Sequence, residues 1–171
     1  LRLIKETKYL PSVAFGLRDI GGSGLTAAEY FVFSKRFGRL DTTLGLGFGA
    51  LGSDANIRNP FISFHESFNY RNSDVGQGGN FNSKDWFSGQ QVAAFGGLEY
   101  SFPKYGLSLK VEYDTSNPDI PFSNNLPLEV KSRFNAGLVY ALGDWVDIGL
   151  SYERGTQWRF SFFFKGNYGK K

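Results

Sequence analysis

The sequence predicts an all-β protein: an antiparallel up-and-down transmembrane β-barrel, or a portion of one. Three observations predict it. Apolar residues recur with a period of two along most of the chain, while helical periodicity is nearly missing. Tight turns and longer connections fall alternately, which sorts short turns to one end of a meander and long loops to the other. The bulky apolar side chains are also more numerous than the interior of a small barrel can hold.

Nine strands follow from the alternation, roughly 1–7, 11–20, 27–36, 40–51, 91–102, 107–115, 132–142, 146–153 and 157–165. In PSVAFGLRD, Val13, Phe15 and Leu17 alternate with Ala14, Gly16 and Arg18. AEYFVFSKR and VAAFGGLEYSF are apolar on both faces. LDTTLGLGFGA sets Leu40, Thr42, Leu44, Leu46 and Phe48 against Gly45, Gly47 and Gly49, large groups on one side and almost nothing on the other. LSLKVEYD sets Leu107, Leu109, Val111 and Tyr113 against Ser108, Lys110, Glu112 and Asp114. FNAGLVYAL, VDIGLSYE and WRFSFFFK repeat the pattern with Leu138, Leu150 and Phe160 on their bulky faces. Phe37-Gly38-Arg39, 103–106 and Gly143-Asp144 read as tight turns, and 21–26, 52–90, 116–131 and 154–156 as the connections at the other end. The chain reads as a single barrel domain or barrel fragment over 1–171, with 52–90 as its long loop. A bacterial single-chain barrel has an even strand number of at least about eight, so nine strands imply further strands elsewhere.

Composition narrows the class. Among 171 residues there are 18 Phe, 9 Tyr and 3 Trp, and neither Cys nor Met. Absent cysteine excludes a disulfide framework and thiol-ligated metal. Absent methionine marks a processed chain or a fragment, and LRLIKETKYLPS has neither the h-region nor the cleavage site of a signal peptide. A formal charge of +3 spread over 35 charged residues, with no basic cluster beyond Lys170-Lys171, argues against a nucleic-acid partner. No run approaches the roughly 18–20 apolar residues of a spanning helix.

A soluble β-sandwich shares the period of two but would point its apolar residues inward. Tyr100, Phe102, Tyr113, Tyr140, Trp145, Tyr152 and Trp158 lie towards strand ends, where interfacial aromatic girdles belong, which favours lipid outside and a polar lumen within. In that register Arg18, Asp41, Lys110, Glu112, Asp114, Asp147, Glu153, Arg159 and Lys165 are the lumen-lining candidates. They line a hydrated path, or they pair across strands and stiffen the wall. Glycines on the lumen side leave room and let a strand coil. The 52–90 connection offers Phe64, Tyr70, Phe81, Trp86 and Phe87 as glycan-contact or plug candidates, because aromatic rings beside Asn and Asp suit sugar faces and hydroxyls. The same rings would equally fasten the loop to the barrel rim or to a partner.

Enzymatic chemistry finds little support. Glu112 with Asp114, or Glu99 with Glu153, is compatible with a glycosidase spacing of about 5–9.5 Å, but such pairs occur on any strand. His65, beside Ser63 and Ser67, has nothing to orient it as a base, and with Glu66 it falls short of a metal site. GSGLT, with Gly21, Gly22 and Gly24, lacks the lysine and helix of a phosphate loop. No catalytic residue, metal or cofactor is expected.

The stretch LPSVAFGLRDIGGSGLTAAEYFVFSKRFGRLDTTLGLGFGALG, followed by NPF, DWFSG, FGGLEYSFP, VEYD and LSYERG, resembles the YjbH/GfcD family over roughly Leu3 to Phe164. These are outer-membrane β-barrel proteins encoded with exopolysaccharide and capsule secretion genes of Gram-negative bacteria. Members are several times longer, so the resemblance implies that this chain corresponds to one portion of the barrel region. It also implies an outer-membrane location, contact with outer-membrane lipid, participation in exopolysaccharide export or assembly, and secretion components of the outer membrane or periplasm as partners. It supplies no agreed functional residues. The expected function is therefore non-enzymatic assistance of export, with a scaffold that docks other envelope proteins as the alternative.

Overall fold

A computed structural model describes residues 1–19, 27–52, 57–72, 83–115 and 129–166. The strands are β1 (Arg2–Ile4), β2 (Ser12–Arg18), β3 (Ala28–Phe37), β4 (Leu40–Gly49), β5 (Ile57–Arg58), β6 (Gln91–Phe102), β7 (Leu107–Tyr113), β8 (Phe134–Leu142), β9 (Val146–Glu153) and β10 (Gln157–Phe164). They pair in the order β1-β2-β3-β4-β6-β7-β8-β9-β10, with β5 beside β6. The registers of β1–β2, β2–β3, β5–β6, β7–β8, β8–β9 and β9–β10 are antiparallel. Among the described residues no helix is long and apolar enough to cross a membrane.

The all-β antiparallel expectation holds, and the expected strands recur with ends shifted by no more than two residues, except the first. Residues 1–7 contract to Arg2–Ile4 because Lys5, Glu6 and Thr7 interrupt the apolar alternation, and the register slips between Arg2 and Ile4. β1 and β10 stand at the two ends of the pairing order, so among the described residues the sheet does not close into a barrel. The tenth strand, β5, is two residues long and comes from inside the 52–90 connection, too short for any periodic signal.

The backbone divides into two compact units. The first comprises Leu1–Lys35, Thr43–Gly96 and Thr115–Leu128. Here Phe15 of β2 stands opposite Phe31 of β3, and Leu17 opposite Glu29. On the other face, Tyr30 lies opposite Gly16. Gly45 of β4 is covered in the same manner by the Phe95 ring, so that a Cβ there would overlap it. A bare backbone at Gly45 thus lets a large ring from β6 lie flat on the sheet. The 3₁₀ turn Ala50–Gly52 leads into the 52–90 connection, whose described residues hold three more, Pro60–Ser63, Glu66–Asn69 and Ser83–Asp85. Gly49 starts it with φ 64°, where a Cβ would press on the Ala27 carbonyl oxygen and the Arg71 guanidinium. Only glycine suits both the angle and the space.

The second unit comprises Arg36–Thr42, Gly97–Asp114 and Glu129–Lys171. Its strands β7 to β10 are joined in register, with Leu109 opposite Leu138, Leu138 opposite Leu150, and Leu150 opposite Phe160. Cross-strand aromatic pairs stand near strand ends: Tyr113 with Phe134, centroids 5.1 Å apart, and Tyr152 with Trp158 at 4.9 Å. Such pairs fix register as well as bury area.

Candidate functional site

Two constellations stand out, one in each unit. In the second, the residues between the bulky ones form a charged face. Lys110 reaches Glu99 at 3.1 Å, Arg159 reaches Glu153 at 2.8 Å and Lys165 reaches Asp147 at 2.6 Å. Glu112 lies opposite Asn135, Lys110 opposite Gly137, and Gly137 opposite Ser151. Ser151 donates its hydroxyl to Glu153 at 2.8 Å. Asp41 pairs with Arg36 across the β3–β4 turn, and the Asp114 amide donates to the Arg133 carbonyl at 2.9 Å. Cations and carboxylates therefore alternate over neighbouring strands of one face. This is a lattice of partly hydrated ion pairs, each able to accept from or donate to a polar ligand.

The opposite face is exposed over much of β7, β8 and β10, whereas on β9 Val146 is buried and Ile148 and Leu150 are half-buried. Along β8, Phe134, Ala136, Leu138, Tyr140 and Leu142 are exposed, whereas Asn135, Gly137, Val139 and Ala141 are half-buried. Leu109, Val111, Trp158, Phe160, Phe162 and Phe164 extend that exposed apolar face over β7 and β10. Monomeric soluble proteins rarely leave an apolar patch of this extent open.

In the first unit a buried polar clamp holds the 52–90 connection. Glu29, 1% exposed, receives both arms of Arg71, Nη1 at 2.8 Å and Nη2 at 2.9 Å, and the Phe87 amide at 3.0 Å. This bidentate geometry and extra donor are what a buried carboxylate requires. Asn59, also buried, donates Nδ2 to the carbonyls of Phe87 at 2.8 Å and Gly89 at 2.9 Å, while its Oδ1 accepts from the Phe61 amide at 2.9 Å. Asn72 donates to Asp85 at 3.2 Å. Around this clamp Phe87 touches Phe15, Phe31, Phe48 and Phe61, with centroids 5.3–5.7 Å apart. Phe61 and Phe87 of the connection thus cover the face that carries Phe15, Phe31 and Phe48, the face opposite to Arg18 and Gly16.

The candidates of the connection separate accordingly. Phe87 is the centre of the ring cluster, Trp86 is half-buried, and Phe64 and Tyr70 are exposed. Phe81 and the glycines Gly21, Gly22 and Gly24 lie outside the described residues. Of these candidates, Phe87 packs on the apolar face that carries Phe15, Phe31 and Phe48. His65 caps a turn, its Nδ1 accepting from the Ser67 amide at 3.1 Å. Among the lumen-lining candidates, Lys110, Glu112, Asp147, Glu153, Arg159 and Lys165 share one face of the second unit, and Asp41 and Asp114 lie at ends of its strands. Arg18 belongs to the first unit, exposed at the end of β2. The sequence reading missed Glu29, Arg71, Asn59 and Asp85. A carboxylate inside the otherwise apolar AEYFVF was the available signal, since buried charge demands a partner.

Among the described residues no group of His, Asp or Glu is placed to hold a metal. The family model described as "YjbH: Exopolysaccharide biosynthesis protein YbjH" matches residues 1–171. The chain is 44% identical over 168 residues to "Uncharacterized lipoprotein YjbH" of Escherichia coli (strain K12), covering 98% of this chain and 24% of that protein. It thus spans about a quarter of the length of that relative. No solved structure matches.

Proposed function

Because the chain belongs to the YjbH family of exopolysaccharide biosynthesis proteins, we propose that it forms part of the wall of an outer-membrane β-barrel that assists exopolysaccharide export or assembly without enzymatic activity. One observation carries this reading. The strands of the second unit expose Leu, Phe and Trp and pair their charges on the other face, the reverse of a soluble sheet. In hydrocarbon that arrangement is favourable, since the bulky side meets acyl chains and the charged side meets water. The name of the relative, a lipoprotein, fits a cell-envelope address. The charged face then serves as the hydrated side along which hydroxylated or acidic sugar units exchange hydrogen bonds with water.

A second reading is favoured by the ion pairs themselves. Charges neutralised across strands stiffen a wall, as a scaffold docking other envelope proteins would need. Reversing Lys110→Glu and Arg159→Glu in the full-length protein separates the two. Glycan contact predicts less exopolysaccharide at the cell surface while the protein still fractionates with the outer membrane. Unchanged surface polysaccharide favours the scaffold, and a protein extracted as a soluble species removes the wall.

A further inference from the structure

The aromatic residues of 57–72 point two ways. Phe61 and Phe68 turn to each other, centroids 5.6 Å apart, and Phe61 reaches the cluster around Phe87. Phe64, which touches Phe61 at its edge (centroids 6.3 Å apart), and Tyr70 nevertheless stand 81% and 71% exposed. Their backbone is not loose. Asn59 ties one end to Phe87 and Gly89, and Arg71, next to Tyr70, is locked onto Glu29. Two large rings are therefore held out from a clamped segment.

Where they are held decides their partner. The segment meets the apolar face of β4 where Phe61 stacks on Phe48, centroids 5.6 Å apart, beside Phe87, which packs on Phe15 and Phe31. On that same face Leu44 is 68% exposed and Phe33 is exposed too. Along β4, protein cover at Phe48 gives way to bare surface at Leu44 within four residues, roughly 13 Å at the rise of a strand. A sugar-binding platform would belong on the polar side, with Arg18. Rings at the margin of a bare apolar face, interleaved with His65, Glu66, Ser67 and Asn69, have the mixed character of a membrane–water interface.

We propose that residues 57–72 form a membrane-interface collar, which takes over from the strands at the lipid surface and seats Phe64 and Tyr70 among the lipid headgroups. This rests on the wall reading of the preceding subsection. On the wall reading the collar lies on the lipid side of the sheet, away from the polar face that carries Arg18.

Absence of cysteine from the chain allows the test. Leu44→Cys, Phe64→Cys and Tyr70→Cys, each as the sole reactive cysteine of the full-length protein, are nitroxide-labelled in vesicles of phosphatidylethanolamine and phosphatidylglycerol. Collisions with oxygen, concentrated in lipid, and with a water-soluble nickel chelate are compared with those of free label in buffer. The collar predicts the highest oxygen-to-nickel ratio at position 44. Positions 64 and 70 should be raised several-fold over free label yet remain well below 44. Ratios at 64 and 70 equal to free label overturn the collar and return the rings to water or glycan. Ratios equal to that at 44 overturn it as well, by placing them among acyl chains. In both cases a high ratio at 44 leaves the wall standing, whereas a low one there removes the wall.

Discussion

Phe48 is 1% exposed and Phe160 is 70% exposed, although each is a phenylalanine on the bulky face of an alternating strand. In the first unit Phe61 and Phe87 of the 52–90 connection pack on that face, held by Glu29, Arg71 and Asn59. In the second unit Phe160 and its same-face neighbours on β7 and β8 are exposed. The difference teaches that one alternating pattern serves two environments. Where a connection carries its own rings and a polar clamp, protein covers the sheet. Elsewhere much of the face stays exposed.

Several substitutions break or sharpen this contrast, each read by urea unfolding from phospholipid vesicles unless stated. The largest effect is expected from Arg71→Ala, which leaves the Glu29 carboxylate buried without its cation and should cost about 3–5 kcal/mol. Hydrogen exchange should rise over 57–72 and stay unchanged in β8 and β9; equal loss in both would show one cooperative body and dissolve the contrast. Phe48→Ala opens the ring cluster and should cost about 3–5 kcal/mol at the upper range of core truncations, with the same local exchange pattern.

Leu109→Arg probes the bare face. If acyl chains lie against it the cost should be about 2–4 kcal/mol, depending on depth. A change near zero would mean that Leu109 meets water. Gly45→Ala forces a methyl group into the Phe95 ring and should cost about 1–3 kcal/mol, sharpening the view that β4 is bare so that a neighbour can lie on it. Lys165→Ala should matter least, under about 1 kcal/mol, because the pair with Asp147 is half in water. A much larger loss there would reveal a charged face drier than its exposure implies.

Much of the sheet was legible because a strand writes its two faces into alternate residues. β6 to β10 were readable almost to the residue, and their ion pairs followed from hairpins: a short turn at 103–106 brings Lys110 beside Glu99, and one at 154–156 brings Arg159 beside Glu153. The clamp was not legible. Glu29 and Arg71 are 42 residues apart, and no local rule links a carboxylate in one strand to a guanidinium in a later connection. Nor could Phe64 and Phe87 be told apart, since both are phenylalanines in one polar-aromatic segment, yet one is exposed and the other is the centre of a cluster.

The sequence by itself determined that the chain is all-β, where all but the shortest strands run, and which residues share a face, because those properties depend on neighbours within a few positions. Only the tertiary structure decided that the pairing order ends at β1 and β10, that Phe61 and Phe87 of 52–90 cover an apolar face, and that Glu29 is buried against Arg71. These are contacts between distant parts of the chain. Their free energy depends on which surfaces meet, which alternation alone does not encode.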